Sequence, residues 1–308
     1  MTPTDLPWLW IPLTVWAGFA QTLRNAAQRS LVAQVGTLGA TLVRFLYGLP
    51  FAALWLIATT ALVGQSPPPI NPTFLAWVLV GGVFQIFATA LLLLVMAERN
   101  FALGVAYSKT ELVQVAVFGS VLLGDPLSLP AALAIFVATA GVLLLSPADR
   151  AHPVRSLVMG WTSRSALLGF ASGACFALAA TGYRGGALAL GASTHFLLAA
   201  AYTLVWAQAV QVVMLGGWLL VRNRAVLVGV ARAWRTSLFA GFMGAAASVG
   251  WFTAMAIEPV AHVRTLGLVE LLFSLVVSRR LFQERLSRLE VSGLALLTVG
   301  LIIITLGH

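Results

Sequence analysis

Apolar stretches of about twenty residues recur along the whole chain, each long enough to cross a ~30 Å hydrocarbon core as a helix. Ten can be distinguished, at roughly 8–28, 37–63, 73–97, 101–123, 129–146, 165–184, 190–220, 233–257, 260–281 and 289–307. With 60% hydrophobic and 9% charged residues, the composition lies outside the soluble globular range. The expected fold class is therefore an all-α integral membrane protein with ten transmembrane helices. The first stretch lacks a basic n-region and a clean small-residue cleavage site. Its polar end, Arg24, Asn25 and Gln28, is wrong for a signal peptide, so it counts as a retained span.

Composition also excludes several functions. Cys175 is the only cysteine, which rules out a disulfide framework and a thiolate metal cluster. The formal net charge of +9 is compatible with nucleic acid in principle. The arginines, however, gather in short loops between apolar spans, a pattern that sets membrane orientation and implies no nucleic-acid partner. The longest polar interval, 147–164, reads as a linker and leaves no room for a soluble domain. There is no Walker loop, HExxH or nucleophile elbow, so neither an ATP-driven pump nor a membrane hydrolase is expected. The chain is read as a non-enzyme without cofactor or metal.

Sliding the chain against itself by 159 residues aligns 96–145 with 255–304 without a gap. Met96 falls on Met255, Glu111 on Glu270, Ser128 on Ser287, Thr139 on Thr298 and Gly141 on Gly300, while Asp125 falls on Glu284. Gly82 meets Gly241 at the same shift; Gly18/Gly173, Arg29/Arg184 and Gly36/Gly191 match at 155. The weight lies in the polar matches, because the chain has only nine acidic residues to place. Two repeats of five spans follow, 8–146 and 165–307, joined by 147–164. Five is odd, so the second copy enters the membrane inverted, an arrangement that places a site near the midplane between the halves.

Loop charges give a direction. The odd-numbered loops hold nearly all the loop arginines, from Arg29 and Arg99 to Arg222 and Arg280; the even-numbered ones hold essentially Arg184. The positive-inside rule then puts both termini outside the cytoplasm of a multi-pass cell-membrane protein, expected in a bacterial inner membrane.

The segments FALGVAYSKTELVQVAVFGSVLLGDPLSLPAALAIFVATAGVLLL and PVAHVRTLGLVELLFSLVVSRRLFQERLSRLEVSGLALLTVGLIII resemble the end of an EamA repeat of the drug/metabolite transporter (DMT) superfamily. The shared features are a helix, a short acidic turn (GDPLS, QERLS) and a helix closing on Gly141 or Gly300. Arg44 resembles the arginine common in the second span of such repeats, and Glu270 the acidic residue of the ninth. The resemblance implies the ten-helix inverted-repeat fold and metabolite transport, leaning towards export. Leu112 and Leu271 stand where the family carries a proline after the acidic residue, which removes the expected cause of a helix kink. Many family members also have cytoplasmic termini, opposite to the direction read from these loops.

An ionised side chain at mid-helix costs roughly 2.5–3.5 kcal/mol on insertion scales, so each deep charge needs a partner or a water-filled cavity. Glu111 and Glu270 lie about ten residues into spans four and nine, near the midplane. Each could bind a cationic group, carry a coupling proton, or lock the bundle in a fixed pair with Arg24, Arg44 or Lys109. Lys109 and Glu111 are two residues apart and do not face each other on a helix; the six-residue step from Arg264 to Glu270 separates those two likewise. Arg24 and Asn25, with Gln21 one turn earlier, give span one a polar stripe suited to substrate or to a gate. Arg44 is as readily a structural holder of carboxylates or carbonyls. His195 and His262 titrate in the physiological range or serve as packing residues. Tyr107 and Trp251 are the leading aromatic candidates to line a cavity.

Deep cations (Arg24, Arg44, Lys109, Arg264) outnumber deep carboxylates (Glu111, Glu270). That favours an amino acid or related metabolite as solute, carried as zwitterion or anion by alternating access, with export or exchange and proton coupling as the expected modes. Broad organic-cation efflux and a non-transporting membrane scaffold or receptor are the competing expectations. The other expected partner is the bilayer, with the protein as monomer or homodimer.

Overall fold

The computed structural model describes residues 8–98, 108–109, 111–144 and 164–282, with 292–293, 295–296, 298–300 and 302–303. The described residues are all-α and contain no strand. The helices are α1 (Trp10–Leu46), α2 (Leu49–Val63), α3 (Pro72–Glu98), α4 (Glu111–Phe118), α5 (Leu129–Leu144), α6 (Arg164–Ala189), α7 (Phe196–Gln211), α8 (Gly217–Arg222), α9 (Arg224–Arg232), α10 (Trp234–Ile257), α11 (Val260–Leu266) and α12 (Val269–Phe282). Single π-helical turns extend α4 through Gly119–Leu123 and join α7 to α8 through Val212–Gly216. Five segments are long and apolar enough to cross a membrane: Trp10–Val63, Pro72–Ala97, Phe196–Arg222, Trp234–Ile257 and Val260–Val277.

The first of these, at 54 residues, would be about 81 Å long as one straight helix, more than twice a bilayer core. It reverses instead at Gly36, whose φ of 70° and ψ of 172° break the helix. Gln28 Nε2 donates to the Ala40 carbonyl at 2.7 Å, a contact that twelve residues of straight helix, about 18 Å, would forbid. Gly191, the repeat partner of Gly36, has φ of 88°.

Four connections meet at one end of the bundle. Gln65 Nε2 donates to the Ser193 carbonyl, and Asn71 Nδ2 to that of Ala189. Arg184, assigned to a loop by sequence, lies inside α6; it pairs with Asp125 at 2.8 Å and donates to the carbonyls of Met255 and Glu258. Gly36 lies elsewhere, beside the short helix α9: a Cβ on Gly229 would stand 3.3 Å from Val35 Cγ1. Helix α9, nine residues with arginine at both ends, is too short to span and lies between the seventh and eighth apolar stretches.

Polarity is arranged inside out. Large apolar side chains such as Leu62 (78% exposed), Phe136 (74%) and Val221 (81%) face outward, which suits lipid and would be costly in water. Arg24, Gln28, Glu111, Gln211 and Glu270 are buried. The most extensive helix pairings are α1 with α10 and α3 with α6. Glycines make both close. A Cβ on Gly241 would stand 2.4 Å from Tyr47 Cβ, one on Gly250 2.8 Å from the Leu13 carbonyl, and one on Gly182 2.9 Å from the Gly81 backbone.

Candidate functional site

The polar stripe of α1 recurs every three to four residues, Gln21, Arg24, Asn25 and Gln28, so it shares one helix face, and that face is turned inward. Opposite it the chain of α11 and α12 is broken. Gly267 ends α11, and Leu268, Glu270 and Leu271 donate backbone bonds to Thr265, Gly267 and Leu268, each three residues back. Glu270 therefore sits in the first turn of α12 rather than in the middle of a continuous helix. The interruption occurs without proline. A Cβ on Gly267 would lie 2.4 Å from the Trp251 ring, so glycine lets that ring cross the break. Glu111 likewise starts α4, and Leu112 N donates to Lys109 O as Leu271 N does to Leu268 O, at positions again 159 apart. Carboxylates in the first turn of a helix favour its positive dipole end.

The two ion pairs cross between the segments around Glu111 and Glu270. Lys109 Nζ lies 2.5 Å from Glu270 Oε2, and Arg264 Nη1 lies 3.6 Å from Glu111 Oε1. Glu270 is held further by Gln21 Nε2 at 2.7 Å on Oε2 and Asn25 Nδ2 at 3.0 Å on Oε1. Trp251 Nε1 donates to Gln21 Oε1 at 3.0 Å, and the Arg264 guanidinium lies 4.9 Å from the Trp251 ring centroid. The contacts form a continuous chain: Glu111, Arg264, Trp251, Gln21, Glu270, Lys109. All six are buried.

Arg24 and Arg44 adjoin this chain of contacts across Gly244, where a Cβ would meet Arg44 Cγ at 3.2 Å and Arg24 Cδ at 3.3 Å. Arg24 Nη2 donates to Asn25 Oδ1 at 2.7 Å, and Arg44 Nη1 to Thr89 Oγ1 at 3.3 Å. Among the described residues neither arginine pairs with a carboxylate.

Seven sequence candidates thus converge with Trp251: Glu270, Glu111, Lys109, Arg264, Arg24, Asn25 and Arg44. Two do not. His262 pairs with Glu258 at the α10–α11 junction. His195 caps α7, its Nδ1 accepting from Leu197 N, and lines a separate cleft with Gln65 and Ser193. Tyr107 and Glu284 lie outside the described residues. Reasoning from the chain alone left out Tyr183, whose hydroxyl accepts from Gln211 Nε2 at 2.7 Å, and the Gln85–Thr89 pair. Their signal was available: Gln85 and Thr89, and Gln208 and Gln211, are polar pairs at helical spacing in apolar spans.

The chain matches no family model and no curated protein by sequence. A solved crystal structure of another protein aligns over 96% of both chains with a TM-score of 0.64 at 16% identity. At that identity the likeness establishes a shared fold.

Proposed function

We propose that the protein is a secondary transporter of a small organic solute, an amino acid or related metabolite bearing an acid group, working by alternating access between two inverted five-helix halves of the EamA type. The observation that carries this reading is the buried chain of contacts with its two crossed ion pairs. Structural charge pairs are costly to bury and are usually replaceable by apolar packing, whereas intramembrane charges at broken helices are the usual construction of a transport site.

Other features support the inverted repeat. The two dominant pairings, α1 with α10 and α3 with α6, exchange under the repeat, which maps the first span on the sixth and the third on the eighth. Gly36 and Gly191 share a positive φ. The meeting of the connections after α2, before α5, after α6 and after α10 at one end fits spans of alternating direction.

The solute takes part by competing with these pairs. Glu270 is held by three donors, while Glu111 is held only by Arg264 at the looser 3.6 Å among the described residues. Glu111 is the carboxylate better placed to take up and release a coupling proton. Reconstituted protein is expected to move amino acids or related acids in a flux screen and not quaternary ammonium ions. Glu111→Gln should abolish the pH dependence of that flux. Quaternary-ammonium flux without acid flux would replace this reading by cation efflux. Unchanged flux and growth phenotypes in both Glu111→Gln and Glu270→Gln would leave a scaffold.

A further inference from the structure

Among the described residues, the buried cluster holds more positive charge than its carboxylates neutralise. Arg24, Arg44, Lys109 and Arg264 face Glu111 and Glu270, and Lys109 and Arg264 already occupy both carboxylates. The remaining buried pairs, Arg184–Asp125 and His262–Glu258, lie towards the end of the bundle and bring no negative charge to the centre.

Arg24 is fully buried, and its Nη1 has no hydrogen-bond partner among the described residues. Its other donors meet the neutral amide oxygen of Asn25. Arg44, 7% exposed, donates to the Thr89 hydroxyl and lies over the Phe45 ring, with no carboxylate partner among the described residues. Gly244 lets the two side chains run together, which sets two like charges side by side. Unpaired guanidinium groups in a dry interior are costly unless an anion joins them, and their planar forks match carboxylate and phosphate oxygens.

We propose that Arg24 and Arg44 form the binding site for the acid group of a small organic dianion, a dicarboxylate or a phosphate monoester. Two negative charges cancel the surplus of two. The assignment rests on the transport reading for one step only: the site is closed to solvent, so a ligand enters when the halves part.

The test is thermal stabilisation of the purified full chain by succinate, glycerol 3-phosphate, butyrate, chloride and tetraethylammonium at constant ionic strength. At least one of the two dianions is expected to raise the melting temperature with the logarithm of its concentration; which of them does so tells dicarboxylate from phosphate. Butyrate should act only at higher concentration, and chloride and tetraethylammonium should have no effect. Arg24→Lys and Arg44→Lys keep the charge and lose the fork, and should weaken the stabilising dianion about tenfold or more. No stabilisation by either dianion in the unsubstituted protein overturns the site. So does an equal effect of chloride or butyrate, or full retention of the response in both lysine variants. Dianion binding without any flux would sink the transport reading alone; acid flux without dianion binding would sink this site alone.

Discussion

Lys109 and Glu270, 161 residues apart in the chain, meet at 2.5 Å inside the bundle, while Arg264 turns to Glu111 in exchange. The segments around Glu111 and Glu270 therefore each supply the counter-ion of the other. They cannot separate without breaking a buried pair, and under the proposed transport a solute or proton that replaces one partner lowers that barrier.

Breaking the tighter pair from one side should be expensive. Lys109 is 5% and Glu270 1% exposed, so Lys109→Met leaves an uncompensated carboxylate and should destabilise by about 3–5 kcal/mol. Lys109→Met/Glu270→Gln removes both charges and keeps an amide for Gln21 and Asn25, so it should regain more than half of that loss. Denaturant melts of the two single variants and the double give the coupling directly. Additive losses would mean that the pair does not interact.

Two buried arginines should respond with opposite sign to the same substitution. Arg184 neutralises Asp125 and satisfies the Met255 and Glu258 carbonyls; Arg184→Gln should lower stability by about 3–5 kcal/mol. Among the described residues Arg24 has no carboxylate partner, and one of its guanidinium nitrogens has no hydrogen bond. Arg24→Gln, measured without added anion, should melt at or above the temperature of the unsubstituted protein. A loss matching that of Arg184→Gln would make Arg24 a structural residue.

Glu111 and Glu270 were legible in the chain because a carboxylate in an apolar span is rare, and a pair 159 residues apart is rarer. The spans were legible for the same reason of hydropathy. Partner choice was not. Helical spacing shows that Lys109 cannot face Glu111, but it does not reveal which helix stands opposite. The breaks before Glu111 and Glu270 were hidden because no proline marks them; the second depends on Gly267 admitting the Trp251 ring, a tertiary contact. His262 and Arg264, two residues apart, also go to different partners, Glu258 and Glu111.

The glycines of α10 should not be interchangeable with glycines elsewhere. A Cβ on Gly241 would press on Tyr47 Cβ at 2.4 Å, Tyr47 C at 2.6 Å and Gly48 N at 2.9 Å. Backbone atoms cannot step aside, so Gly241→Ala should cost about 1–3 kcal/mol. Gly217 has helical dihedrals and nothing within 4 Å of the added carbon. Gly217→Ala should be neutral or stabilising by up to ~1 kcal/mol. Equal effects at both sites would show that α1 and α10 can part freely in the resting protein.

Orientation follows from which end of the bundle carries the arginines. Ser66 lies in the connection after α2, at the end where Gln65 meets Ser193. Asn223 lies between α8 and α9, flanked by Arg222 and Arg224. The arginine bias predicts Asn223 on the cytoplasmic side and Ser66 outside. Cys175 is partly buried and removable as Cys175→Ser, so either site can carry the single thiol. In intact cells a membrane-impermeant maleimide should label Ser66→Cys and spare Asn223→Cys until the membrane is opened. The reverse pattern would invert the protein and leave the packing untouched. Labelling of both from outside would contradict the alternation of spans on which the inverted halves depend.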